Sequence, residues 1–207
     1  MKKNIIFDFG KVLVHFSPEY MTKQYVTDKQ DAEKIAVAVF DRKFWDPLDD
    51  GSITDQEVIR GFCDMLPENL HEIATTVYQN WAYNLPFIDG MPELVKKLKK
   101  DGKKIFLLSN ISIGFTEIYK NVDYLNDFFS LFDGLVFSGP LGIIKPGKEI
   151  FNHLLNTYNL RAEDCIFIDD SAINIKGAEN VGIEGYLFDG DAEKLKNFLF
   201  SDNKKDV

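Results

Sequence analysis

The sequence predicts an α/β fold: a doubly wound parallel sheet with a helical bundle inserted after its first strand. Three observations carry this expectation. Short apolar runs rich in Ile, Phe, Leu and Val recur along the chain, several bounded by Gly, Asp or Ser. From residue 90 onward they alternate with amphipathic helical patterns, as strands of a parallel sheet do. Between the first run and the rest, residues 17 to 86 hold no convincing strand.

The runs "NIIFDF" (4–9), "KIFLLSN" (104–110), "GLVFSG" (134–139), "CIFIDD" (165–170) and "EGYLFD" (184–189) read as five buried strands. In the insertion, "DAEKIAVAVFDRKFW" (31–45) and "ENLHEIATTVYQNWAYN" (68–84) read as helical. So does "TDQEVIRGFCDML" (54–66), where Thr54 and Glu57 have capping-box spacing. Pro18 and "NLPFIDGMP" (84–92) mark hinges. After them, "MPELVKKLKKDGKK" puts Leu94, Val95 and Leu98 on one face and ends at Gly102. A helix over 147–160 carries Ile150, Phe151, Leu154, Leu155 and Tyr158 at helical spacing. A helix capped by Ser171 ends at Gly182, and a last one turns Leu195, Phe198 and Leu199 inward. The expected organisation is a core of residues 1–16 and 87–200, a helical insertion of 17–86 and a frayed tail of 201–207.

Bulk properties narrow the function. The chain has 207 residues, 45% of them hydrophobic and 28% charged, which suits a soluble globular protein. A net charge of −9 argues against nonspecific nucleic-acid binding, which needs a positive surface to release counterions. No stretch approaches the roughly 18 apolar residues of a membrane helix, and the start lacks the apolar run of a signal peptide. The two cysteines, Cys63 and Cys165, form no metal motif and read as small buried residues. The expected compartment is the cytoplasm. Neither composition nor pattern sets the oligomeric state.

In open parallel sheets, ligands bind beyond the carboxyl ends of the strands. Asp8 stands at the first such end, Ser109 and Asn110 at the second, Lys145 after the third, and Asp169 and Asp170 at the fourth. Singly, each has an ordinary reading: a turn cap, a loop hydroxyl, a surface lysine, an acidic turn. Their placement at successive strand ends favours one crevice. Three carboxylates in one pocket repel unless a cation neutralises them, and oxygen donors suit Mg²⁺. Ser109 and Lys145 would then bind the other oxygens of a phosphoryl group. Asp8 would be free to attack phosphorus, with Lys145 offsetting the repulsion between the two anions.

The motifs "IIFDFGKVLV", "IFLLSN", "GIIKPGKEIF" and "CIFIDDSAINIKGAENVGI" resemble, in order, those of the haloacid dehalogenase superfamily of aspartate-nucleophile hydrolases. The resemblance covers nearly the whole chain. It implies a Rossmann-like core, a small helical cap over residues 17–86 and a Mg²⁺-dependent phosphatase acting through an aspartyl-phosphate on Asp8. It assigns Mg²⁺ to Asp8, the Gly10 backbone carbonyl and Asp170, with Asp169 in support. Ser109, Lys145 and the Asn110 backbone would bind phosphate, and Asn174 stands where many relatives carry another acid.

Gly10 departs from the usual pattern. Most phosphatases of this family carry a second aspartate there, as D-x-D, to protonate the leaving group and then activate water. Such help is worth about 10² to 10⁴-fold in rate. Either the leaving group needs little help or another residue delivers the proton, with His15, Asp46 and Asp49 nearest in sequence. A bacterial D-x-G-x-V-[LI] subgroup that the chain resembles includes a phosphatase of glucose 1-phosphate, so a small phosphorylated metabolite, such as a sugar phosphate, is the expected partner. Two alternatives remain. One is a 2-haloacid dehalogenase, which has no use for the acid pair Asp169 and Asp170. The other is a catalytically idle phosphate binder, which Gly10 favours. Within the cap, Arg42, Trp45, Asp46 and Asp49 combine donors, acceptors and an aromatic face suited to reading the leaving group, although each also suits ordinary packing or solvation. Trp81 and Tyr83 read as packing residues.

Overall fold

The computed structural model describes residues 2–201. Five strands, β1 (Asn4–Phe7), β2 (Lys104–Ser109), β3 (Gly134–Phe137), β4 (Cys165–Asp169) and β5 (Glu184–Leu187), form one parallel sheet in the order β3-β2-β1-β4-β5. All five expected strands are present. β1 is central because it pairs on both sides: Phe7 lies opposite Leu107 and opposite Ile168. The apolar runs are continuous because both faces are covered. Ile5, Phe7, Ile105, Leu107, Ile166 and Ile168 enter one core cluster. Their alternating neighbours Ile6, Phe106, Leu108, Cys165 and Phe167 enter the other.

Helices α1 (Pro18–Lys23), α2 (Lys29–Val39), α3 (Arg42–Asp49), α4 (Asp55–Cys63) and α5 (His71–Asn80) make the insertion after β1. The capping box at Thr54 and Glu57 is formed, each residue's side chain satisfying the other's backbone N–H. The expected helix over 31–45 is instead two helices. Asp41 breaks it, its carboxylate accepting the Lys43 N–H and so starting α3. The two connections of the insertion run side by side: His15 N–H donates to Pro86 and Ile88 N–H donates to Leu13. The apolar side chains of the insertion, among them Ile35, Phe62 and Val77, join the same core cluster as one face of the sheet.

The remaining helices are α6 (Met91–Lys100), α7 (Phe115–Ile118), α8 (Asp123–Phe129), α9 (Lys148–Thr157), α10 (Ala172–Glu179) and α11 (Ala192–Phe200). Helices α7 and α8 had no counterpart in the sequence reading, because neither is long enough to show a helical period. Three details correct expectation. Ser171 holds the N-cap position of α10 without a capping side-chain bond; its N–H donates to Asp169 instead. Phe198 is 42% exposed and packs against Tyr186 at the sheet margin, since α11 buries only Leu195 and Leu199 in its last two turns. Cys165 is buried as expected, but Cys63 is half-buried. Of the expected frayed tail, residues 202–207 lie outside the described residues. Among the described residues, no helix is long and apolar enough to cross a membrane.

Candidate active site

The strand ends converge as the topology requires. Asp8 follows β1, and its N–H donates to Ile168 of β4, so Asp8 and Asp169 stand side by side at the carboxyl edge. Sheet pairing uses only their backbones, so both side chains project beyond the strand ends, where Lys145 meets them. Ser109 ends β2, and the loop after β3 brings Lys145 back across the edge. Asp8, Ser109, Asn110, Lys145, Asp170 and Asn174 all line one cavity of about 580 Å³.

Lys145 is the electrostatic centre. Its Nζ lies 2.8 Å from Asp8 Oδ1 and 2.8 Å from Asp169 Oδ2. Lys145 is only 3% exposed and Asp169 fully buried. Burial alone would pull the ammonium down; the two carboxylates outweigh it and hold Lys145 above its ordinary range. Burial pushes Asp8 up to about 6 against the pull of Lys145, with the Asp169 charge adding to the rise. Asp170 is also raised, first by burial and then by Asp169, against nearby Lys11 and Lys145.

The loop that carries Lys145 is clamped from outside its own motif. The Asn110 amide donates to the Lys145 carbonyl at 3.0 Å and accepts the Lys145 N–H at 2.8 Å. The Asn110 side chain thus holds Lys145, while the sequence reading assigned only its backbone, to phosphate. On the other side, α10 packs closely because position 177 is glycine: a Cβ there would meet the Pro146 carbonyl oxygen at 2.5 Å.

Asp8, Asp169 and Asp170 each offer an oxygen, all within 4.8 Å of one another. Three carboxylates against Lys145 and the more exposed Lys11 leave an excess of negative charge, and an all-oxygen donor set fits a hard divalent cation. Asp169 is already occupied. It accepts from Lys145, from the Ser171 N–H and, through both oxygens, from the Asn174 amide. It therefore orients its neighbours, leaving Asp8 and Asp170 as the carboxylates able to face an ion. Asn174, which carries no charge, donates to Asp169 and adds nothing to the repulsion.

Across the cavity stands the helical insertion. Arg42, Trp45, Asp46 and Asp49 of α3 all line the cavity. Phe16, Phe40 and Trp81 complete an aromatic wall, with ring centroids 5.2–6.0 Å apart. Trp81 therefore faces the cavity as well as packing, whereas Tyr83 is exposed. Arg42 pairs with Asp46 at 2.8 Å. Trp45 is fixed by its indole N–H, which donates to the Val39 carbonyl at 2.6 Å. His15 is exposed and absent from the cavity lining.

Two further residues were not singled out from the sequence. Ser138, just after β3, is fully buried. Its hydroxyl accepts the Ile111 N–H at 2.8 Å and donates to the Asp49 carbonyl at 2.5 Å. It ties the loop after β2 to the end of α3. The other is Ile173, exposed at the cavity mouth. The serine in "FSGPLGII" was visible in sequence, but nothing local marks its partners.

Comparison with known proteins identifies the family and the fold. A family model described as haloacid dehalogenase-like hydrolase matches residues 2–182. The sesquiterpene phosphatase astK of Aspergillus oryzae is 27% identical over 183 residues, 88% of each chain. The D-ribitol-5-phosphate phosphatase of Bacteroides thetaiotaomicron is 25% identical over 90% of this chain and 91% of its own. A haloacid dehalogenase family enzyme from the same bacterium, solved with magnesium and inorganic phosphate, superimposes with a TM-score of 0.68 at 23% identity. That match covers 94% of this chain and 99% of the other, and it establishes the shared fold.

Proposed function

The chain belongs to the haloacid dehalogenase-like hydrolases, and from that premise we propose that it is a Mg²⁺-dependent phosphomonoesterase working through an aspartyl-phosphate on Asp8. The observation that carries this reading is the bridge of Lys145 between Asp8 and Asp169 beside a further free carboxylate, Asp170. Asp8, the Gly10 carbonyl and Asp170 would hold the ion. When bound, it supplies the positive charge that lets an anionic ester approach three carboxylates.

The residues of the chain do the rest. Asp8 attacks phosphorus, and the bond to the leaving oxygen breaks. Lys145 faces both the nucleophile and the incoming phosphoryl oxygens, and Ser109 adds a hydroxyl donor from the end of β2. Asp169 holds Lys145 and Asn174 in place. Water then attacks the aspartyl-phosphate and frees Asp8 and inorganic phosphate. Residues 17–86 act as the cap that closes over this site, with 1–16 and 87–200 as the core. The curated phosphatase relatives support ester hydrolysis at phosphorus. The acid pair, set against a carboxylate substrate, weighs against dehalogenation.

The substrate is a small phosphorylated metabolite with an apolar face, a sugar phosphate first among them. The aromatic wall of Phe16, Trp45 and Trp81 covers such a face, while Arg42 and Asp46 meet hydroxyls at the rim. The test is a panel of hexose 1-phosphates, hexose 6-phosphates, polyol phosphates and prenyl phosphates, with and without Mg²⁺. Phosphate release that needs Mg²⁺ is expected. It should fall on the order of 10⁴-fold or more in Asp8→Asn, which keeps the shape and loses the nucleophile. Turnover that survives in this variant would refute the assignment.

A further inference from the structure

We propose that Asp49, at the end of α3, is the general acid and then the general base of this hydrolase, taking the role that Gly10 cannot fill. The inference rests on the phosphatase reading above and deepens it. It begins with elimination among the acids that line the cavity. Asp8 is the nucleophile, and Asp170 faces the cation. Asp46 is paired with Arg42 at 2.8 Å. Asp49 remains. Its Oδ1 is buried and has no hydrogen-bond partner among the described residues, which is costly unless the carboxyl is neutral or a ligand group comes to meet it.

Its position is fixed from the core, not only from its own helix. Ser138, fully buried, donates to the Asp49 carbonyl, and the same hydroxyl holds the Ile111 N–H of the loop that follows Ser109 and begins at Asn110. The end of α3 is thereby held in register with the phosphate side of the cavity. A proton donor must keep within hydrogen-bond reach of the leaving oxygen, and a backbone anchored to the core keeps the Asp49 side chain from drifting away from the cavity it lines.

The charge environment suits the role. Burial pushes Asp49 up to about 7. Asp46 on the same helix and Asp8 across the cavity add to the rise; Arg42 and Lys145 oppose it. Near neutral pH the carboxyl is divided between its two forms, as an acid that must become a base requires.

The proton balance closes. In the first step Asp8 forms its bond to phosphorus, the P–O bond to the leaving group breaks, and that oxygen takes the proton from Asp49. In the second, the Asp49 carboxylate takes a proton from water as the water oxygen attacks phosphorus. The acyl phosphate bond breaks, Asp8 returns as carboxylate, and Asp49 is again protonated.

The test compares benzyl phosphate, whose alkoxide needs a proton, with p-nitrophenyl phosphate, whose phenolate does not, both with Mg²⁺. In Asp49→Asn, kcat/KM for benzyl phosphate should fall about 10² to 10⁴-fold and that for p-nitrophenyl phosphate stay within a few-fold. Rapid mixing should show a burst of nitrophenolate equal to the enzyme, then slow turnover, because the second step has lost its base. The wild type supplies a check that needs no variant. Its kcat/KM for benzyl phosphate should fall as pH rises through about 7, with no such limb for p-nitrophenyl phosphate. Equal losses on both esters without a burst, no loss on either, or identical pH limbs would overturn the assignment. A wild type that releases phosphate neither from these esters nor from the sugar, polyol and prenyl phosphates, or an active Asp8→Asn, would bring down the phosphatase reading itself and this assignment with it.

Discussion

The Ser138 hydroxyl donates to the Asp49 carbonyl across the seam between the sheet and the helical insertion, joining residues 89 positions apart. Because that oxygen also accepts the Ile111 N–H, one buried group serves both sides of the cavity. Ser138→Ala leaves two buried backbone groups short of a partner, so unfolding free energy should drop by about 1–3 kcal/mol. Urea titration measures this. Turnover of benzyl phosphate should suffer more than that of p-nitrophenyl phosphate, since Asp49 loses its anchor.

Lys145 compensates two carboxylates in a site nearly closed to solvent. Lys145→Met removes the ammonium and keeps the bulk. Breaking a buried pair from one side typically costs about 3–5 kcal/mol, and a loss of that order is expected in urea unfolding without Mg²⁺. Phosphate release should vanish even at high Mg²⁺, because the donor facing both Asp8 and the phosphoryl group is gone. A variant as stable as the wild type would show that Lys145 does not offset the charge of Asp8 and Asp169 in the folded state.

Gly10 is not demanded by its backbone. A Cβ there would meet Phe16 Cβ at 3.8 Å, an ordinary contact, and the residue is not among the left-handed glycines. Gly10→Asp should therefore fold, and it places an acid two residues after the nucleophile. In an Asp49→Asn background it should recover benzyl phosphate turnover at least about tenfold, part of the range general acid catalysis supplies. Steady-state assays of the double variant decide the point.

Asp49 should cost the protein stability at high pH. Its folded-state value of about 7 lies above the ordinary 3.8, so the folded state binds more protons between those limits. Its contribution is fully present below pH about 4 and is lost as pH rises to about 7. The span corresponds to as much as ~4 kcal/mol. Asp49→Asn cannot ionise, so its stability relative to the wild type should rise from pH 4 to pH 8. Thermal melts at the two pH values test the sign; a difference independent of pH would contradict it.

The five strands and the helix from Met91 were legible in the sequence because their signals are local: short β-rich runs, a helical stripe, a glycine stop. The helices at 115–129 were not, since one and two turns carry no readable period. Phe198 was misread because spacing alone shows which residues share a face, not how far the core extends beneath them.

The residues at the strand tips were determined by the sequence alone. In a parallel sheet, a carboxylate that follows a buried strand has only one edge to occupy, so the order of the strands alone gathers Asp8, Asp169 and Asp170. Tertiary structure decided what surrounds them. The Asn110 clamp on Lys145, the aromatic wall and the Ser138 tie to Asp49 join segments far apart in the chain. No local periodicity encodes such contacts. They exist because burying one face of the sheet under the insertion presses these groups together, and a buried polar group must then find a partner or remain open to a substrate.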